Sequence, residues 1–339
     1  MSLKPYLSLC LFAAVLLTLA ALPAGAHSVV IFPGSSLESA IAAQHDDFLF
    51  DVGETGQFVV LGGHHFEYDW FNIDSQLDVK MQKPDGSVVS LASRNASSPY
   101  THPISKEKST LTYQVCSATF DQAGIYTIYT TYVEENGDTD SPKLMVYVGS
   151  DDTWTGWNNV IGLPAEIIPY TRTMNLRAGD VLNAKFIAGG SPVPEYTMIF
   201  SEPSRTEAQA LASFDEIMKE FPTTDESIYL IYSKATSTNA NGEYFTTLDE
   251  PGLWVSVARY TNENGHKDAT TLIVPVMGTY DTFGPSYDPL GPSSGTETSS
   301  GSDNSSNAND KQSTPGFTAL AVLGSIGLAG FIGTRFGRN

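Results

Sequence analysis

The chain has 339 residues, with 18 Lys plus Arg against 38 Asp plus Glu and only two cysteines. That balance excludes a basic nucleic-acid binder and a disulfide-stapled mini-protein, and no series of long apolar runs suggests a multi-span membrane protein. At 41% hydrophobic and 11% aromatic the chain can bury ordinary cores, so part of it is globular.

Residues 1–26 read as a signal peptide. Lys4 precedes the apolar run Leu7 to Leu22, and Pro23-Ala24-Gly25-Ala26 supplies the small residues required at a cleavage site. The alternative, an N-terminal membrane anchor, needs about 20 apolar residues, more than this run offers. Cleavage sets the mature start at His27 and removes Cys10, leaving Cys116 alone. No intramolecular disulfide is then possible, and stability has to come from packing.

Residues 27–150 and 163–278 read as two related β domains joined by a linker at 151–162. Short runs such as Leu77 to Met81, Tyr126 to Val133 and Lys143 to Val148 alternate with turn pairs like Asp85-Gly86 and Asn136-Gly137, a sandwich pattern. Asp121-Gln122-Ala123-Gly124-Ile125-Tyr126 lines up with Asp249-Glu250-Pro251-Gly252-Leu253-Trp254, and in each half a polar hairpin and a final strand follow. An internal duplication of an immunoglobulin-like unit explains both. The expected fold class is therefore all-β, two tandem immunoglobulin-like β-sandwiches. Pro164 to Tyr170 reads as an edge strand fenced by prolines. Ser204-Arg205-Thr206-Glu207 reads as a capping box opening an amphipathic helix over about 205–220, inserted into the second domain.

From 279 to 314 the composition shifts to Gly, Ser, Thr, Asn and Asp, which predicts a disordered stalk. Asn95-Ala96-Ser97 and Asn304-Ser305-Ser306 are potential glycosylation sequons. Residues 315–339 form the tail. Gly316 to Thr334 carries no charge, and Arg335 and Arg338 follow, so this segment is expected to be a C-terminal transmembrane helix with its basic end inside. The order Thr314-Pro315-Gly316-Phe317, apolar helix, basic end resembles the PGF-CTERM sorting signals of archaeal surface proteins, which implies processing and a lipid anchor. A plain membrane helix is the alternative, and both place the protein outside the cell, tethered to the membrane. All 38 acidic residues lie between the two ends, which hold Lys4, Arg335 and Arg338. Such a surface attracts cations and repels phosphate polymers.

Five of the six histidines, His27, His45, His64, His65 and His102, fall in the first domain. Cleavage before His27 leaves an imidazole and an α-amine on one residue, a chelate suited to copper(II) or nickel(II). In Gly62-Gly63-His64-His65-Phe66-Glu67-Tyr68-Asp69 adjacent histidines point to opposite faces of an extended chain, so one of the pair can meet His27. Glu67 and Asp69 are near enough to supply an oxygen ligand or to fix an imidazole tautomer. An ordinary polar loop is the competing reading. No Gly-x-Ser-x-Gly elbow, His-Glu-x-x-His helix or phosphate loop occurs, and the chain does not read as an enzyme.

The pattern Ala26-His27, Gly63-His64-His65-Phe66, Ile161 to Pro169 followed by Leu176-Arg177-Ala178-Gly179-Asp180, and Asn241-Gly242-Glu243-Tyr244 before Asp249 to Trp254 resembles the secreted domain-of-unknown-function family 4198, grouped with NikM-type components of nickel and cobalt uptake. The resemblance spans residues 27–276. It implies a surface sandwich that handles a divalent transition metal (nickel, cobalt or copper), with a metal transporter or envelope proteins as partners. Alignment to Phe66 favours His65 over His64 as the family's histidine. The expected metal residues are His27, His65, His64, Glu67 and Asp69. The alternative function is a structural or adhesive envelope protein with no specific metal.

Overall fold

The computed structural model describes residues 28–64, 68–102, 105–196, 199–206, 208–212 and 234–279. The leader, His27, His65, Glu67, the expected helix beyond residue 212, the stalk from residue 280 and the tail lie outside these residues. Among the described residues no helix is long and apolar enough to cross a membrane.

The alternating runs form strands, as their period of two requires. In the first half they are β1 (Ser28–Pro33), β2 (Leu49–Phe50), β3 (Thr55–His64), β4 (Asp69–Phe71), β5 (Lys80–Gln82), β6 (Val88–Ser90), β7 (Ser93–Thr101), β8 (Lys108–Thr119), β9 (Gly124–Tyr129), β10 (Tyr132–Val133) and β11 (Thr139–Val148). In the second they are β12 (Ala165–Pro169), β13 (Asp180–Ala188), β14 (Ser191–Pro192), β15 (Ile199–Pro203), β16 (Lys234–Thr236), β17 (Glu243–Leu248), β18 (Gly252–Thr261) and β19 (Lys267–Val276). The described residues are mostly β, in three sheets.

The two halves pair their strands in matching order. Strands β1-β3-β8 are neighbours in that order in the first half, and β12-β13-β17 repeat it in the second. Likewise β5-β9-β11 corresponds to β15-β18-β19. The aligned motifs make equivalent corners. Gly124 and Gly252 hold φ of 128° and 120°, values that L side chains rarely adopt. The buried ring two residues later hooks back in both halves: the Tyr126 hydroxyl donates to Asp121 and receives the Gln122 amide, while Trp254 Nε1 donates to the Glu250 carbonyl.

The two final strands then meet. β11 pairs with β19 in parallel from Thr139↔Asp268 to Leu144↔Ile273, fusing the halves through one ten-stranded sheet. Thr271 Oγ1 donates to the Val29 carbonyl of β1 at 2.9 Å. Lys143, paired with Leu272, reaches Glu166 of β12 at 3.0 Å. Because paired residues share a face and neighbours along a strand alternate, β1 and β12 cover opposite faces of the seam. This explains why β11 and β19 are buried almost throughout. It also explains the register. The repeat aligns Gly124 with Gly252, an offset of 128, whereas the ladder pairs Thr139 with Asp268, an offset of 129. A rotation that exchanges the halves turns each face over, so equivalent residues cannot share a face and the ladder has to slip by one.

Other elements depart from the sequence expectation or refine it. The 151–162 connection is an ordered corner: Asp151 accepts from the Thr153 and Thr155 amides, and buried Trp154 packs on Tyr147 with the Arg172 guanidinium 5.2 Å from its ring centre. β12 is the expected edge strand, paired among the described residues only with β13. The inserted helix is present at 208–212, but its cap lies two residues later than expected. Thr206 Oγ1 accepts from the Gln209 amide and the Gln209 side chain accepts from the Thr206 amide. A short helix with no counterpart in the sequence reading, α1 (Leu37–Ile41), is held by reciprocal Ser36 and Ser39 caps.

Candidate metal centre

The glycine pair before His64 has a steric cause. A Cβ on Gly62 would enter the Phe71 ring, and one on Gly63 would meet the Asp69 carbonyl and Trp70. Gly63 also holds φ of 150°, so β4 can fold back tightly onto the end of β3 only because both side chains are missing.

That tight return sets the register. β1 pairs with β3 up to Ser28↔Gly63, and β3 pairs with β4 out to His64↔Asp69. His27 directly precedes Ser28 in the sequence and His64 directly follows Gly63. The observed β3–β4 pair sets His64 opposite Asp69. Of the expected residues, His64 and Asp69 are brought together by backbone register, while His27, His65 and Glu67 lie outside the described residues.

Asp69 is held from behind. Its Oδ1 lies 3.0 Å from His102 Nε2, and the Ser105 amide donates to His102 Nδ1 at 3.1 Å. Since Nδ1 accepts, Nε2 carries the proton and donates to the carboxylate. Both groups are largely buried, the side chains 18% and 19% exposed, which fixes the carboxylate's orientation. The Tyr100 hydroxyl bridges the same corner, donating to the Tyr68 carbonyl and accepting from the Trp70 amide. Tyr68 adopts φ of 61° and donates through its hydroxyl to the Arg205 carbonyl, tying the corner to the second half.

Beneath the start of β1 lies a charged layer. Arg259 of β18 is 7% exposed, and its Nη2 donates to the buried Ser28 hydroxyl at 3.2 Å. Arg259 and Asp140 both pair with Ala269, one from each side, so they share a face across a small residue. Burial first, and Glu134 second, push the Asp140 carboxyl up to about 8, with Arg259 pulling the other way. Its Oδ2 is buried without a hydrogen-bond partner.

His102, Arg259 and Asp140 were not singled out in the sequence. His102 was one histidine among six, and its meeting with Asp69 depends on β4 returning beside β7. Arg259 did carry a signal: a basic residue inside an apolar alternating strand of a chain with few basic residues. Elsewhere, His45 Nε2 lies 2.8 Å from the Met174 carbonyl oxygen and His266 Nδ1 lies 3.9 Å from Asp138. Burial pushes the Cys116 thiol up to about 12, so it makes a poor thiolate. Among the described residues no three His, Cys, Asp or Glu side chains stand together as a ready metal site.

Residues 41–262 match the family described as Domain of unknown function (DUF4198). The chain belongs to that family. No curated protein matches it. Among solved structures, a Ca2+-stabilized adhesin that helps an Antarctic bacterium bind ice is 11% identical with a TM-score of 0.19, covering 76% of this chain. This chain spans 49% of that adhesin. Salmonella alpha-2-macroglobulin reacted with methylamine is 12% identical with a TM-score of 0.21, over 75% of this chain and 15% of that one. The fibronectin(III)-like modules of Clostridium thermocellum CbhA are 8% identical with a TM-score of 0.20, over 74% and 95%. Likeness at these TM-scores carries no argument about this protein.

Proposed function

We propose that this DUF4198 protein is a membrane-tethered extracytoplasmic metal-handling protein. Its signal peptide is removed before His27, its two halves are immunoglobulin-like sandwiches, and its C-terminal segment anchors it. The metal, nickel, cobalt or copper, is held by the His27 imidazole and amine together with His64 or His65, with Asp69 and Glu67 as the carboxylates at hand. The observation that supports this reading is strand register: Ser28 pairs with Gly63 and His64 with Asp69, so a histidine and a carboxylate lie at the end of the sheet where β1 begins. The donor set suits a borderline transition metal, since imidazole and amine nitrogens are joined by one carboxylate already oriented by His102. The chain's formal charge of −20 draws cations towards it.

Calorimetry on the processed full chain in detergent, titrated with nickel, cobalt and copper salts, tests this. Tight one-to-one binding is expected, lost when one extra residue precedes His27 and weakened in Asp69→Asn. Absence of binding, or binding indifferent to the added residue, overturns the reading in favour of a structural envelope protein.

A further inference from the structure

The outer face of the sheet formed by β12, β13 and β17 carries a feature that the metal reading does not use. Along these strands Leu182, Ala184, Phe186, Tyr244 and Leu248 turn inward and are buried. The residues between them face out, and one row is unlike an ordinary solvated sheet. The Tyr170 amide donates to the Asn183 carbonyl at 2.8 Å, placing Tyr170 beside Asn183, and Asn183 pairs with Phe245. The row therefore reads aromatic, amide, aromatic across three strands, with Tyr170 44% and Phe245 66% exposed. It borders a groove of about 590 Å3 whose polar wall is Ser237, Thr238, Asn239 and Glu243.

The polar wall is pre-oriented. Asn239 Oδ1 accepts from the Asn241 and Glu243 amides, so its Nδ2 is turned outward and donates to Glu243 Oε2 at 2.9 Å. That pins the Glu243 carboxylate by one oxygen in the wall of the groove. Two exposed aromatic rings on one row of a sheet offer flat apolar faces on which a ligand can stack. A ligand that is flat and apolar on one side yet lined with hydroxyls at its edge meets both halves of this wall. Pyranose rings have that character. Tyr170 and Phe245 stand two strand spacings apart, about 9.6 Å, roughly the length of two sugar rings end to end. The groove is lined by one acid and no base, and the chain is strongly acidic, so a polyanionic glycan is disfavoured.

We propose that this face binds a neutral oligosaccharide chain. Tyr170 and Phe245 stack on two ring faces, the Asn183 amide reads hydroxyls between them, and the Glu243 carboxylate accepts from a hydroxyl at the groove edge. This site stands on residues remote in sequence from His27 and does not depend on metal binding.

The test is calorimetry on the full chain in a non-glycosidic detergent, with cellohexaose, xylohexaose, mannohexaose and maltohexaose as neutral probes and hyaluronan as the anionic one. Saturable binding of at least one neutral probe is expected, weakened about tenfold or more in Phe245→Ala and in Tyr170→Ala, with the thermal midpoint of each variant unchanged. No binding of any neutral probe, binding indifferent to both substitutions, or preference for hyaluronan overturns the proposal. So does self-association of the protein that disappears in Phe245→Ala, which would give the face to a second copy of the chain.

Discussion

Asp140 shows how one broken equivalence sets a residue's chemistry. Its repeat mate, at the offset of 128, is Asp268, which accepts from Thr139 Oγ1 at 2.7 Å and from Asn262 Nδ2 at 3.1 Å. At the positions matching those donors Asp140 has Lys267 and Glu134, and Glu134 brings a second carboxylate in place of an amide. With its pKa raised from 3.8 to about 8, Asp140 binds more protons in the folded than in the unfolded chain between those values. Its favourable contribution is complete below pH 4 and is lost as pH rises through 8. Urea midpoints should therefore fall from pH 5 to pH 9, and Asp140→Asn should flatten that fall, gaining roughly 1–3 kcal/mol at pH 9, the cost range of an unsatisfied buried group. Glu134→Asn should act the same way by restoring the donor that Asn262 supplies to Asp268. A slope unchanged in both variants would remove Asp140 from the account. The two polar hairpin loops, Glu134 to Ser141 and Thr261 to Asp268, are legible in the sequence, but their contact is not, because the acid's environment is made by strands far along the chain.

At the level of elements, the end of β3 is built around two missing side chains. Gly63→Ala would force a Cβ against the Asp69 carbonyl in a backbone conformation that alanine resists, at a cost of about 1–3 kcal/mol. The expected signature is local: faster amide exchange over 69–71 and a lowered melting temperature, with β18 and β19 protected as before. Uniform loss of protection would instead mean that β4 is integral to the whole core. Strands of this kind were legible because alternation and turn pairs are local signals, as in β9 through β11 and in the corner motifs at Gly124 and Gly252. Helix α1 was not, since five residues hold no helical period and its cap uses Ser39 where the usual signature has Glu or Gln. Thr206 illustrates the same limit. Two overlapping capping patterns start at Ser204 and Thr206, and packing against β18 selected the second: the Ser204 amide is spent on the Leu253 carbonyl, and its hydroxyl accepts from the Leu253 amide.

The molecule as a whole turns on the seam. Lys143 and Glu166 are 2% and 0% exposed and join β11 to β12 across it. Burial lowers the Lys143 ammonium's pKa while Glu166 pulls it back. Glu166 also accepts the Ile161 and Gly162 amides. Removing the amine alone, in Lys143→Met, should cost about 3–5 kcal/mol by leaving a buried carboxylate uncompensated. The double variant with Glu166→Gln should recover part of it, read from urea denaturation. Because the ladder from Thr139 to Leu144 belongs to both halves, scanning calorimetry of the described globular unit should show one transition; two well-separated ones would mean that the seam contributes little. The matching corners at Gly124 and Gly252 were readable from aligned motifs, but the parallel meeting of the last strands was not, because nothing in either half marks which edge its neighbour will use.

A strand that lies beside its own counterpart through such a rotation is, in effect, a self-complementary edge. The first half alone, residues 27–150, therefore already holds the surface needed to form a symmetric homodimer, and the covalent link of the natural chain serves to raise effective concentration. The ion pair distinguishes the two sides of the seam: Lys143 stands where the second half has Thr271, whose hydroxyl needs only a backbone carbonyl. A first half carrying Lys143→Thr should sediment as a dimer, and the unaltered half, obliged to bury an unmatched ammonium, should dimerise far more weakly.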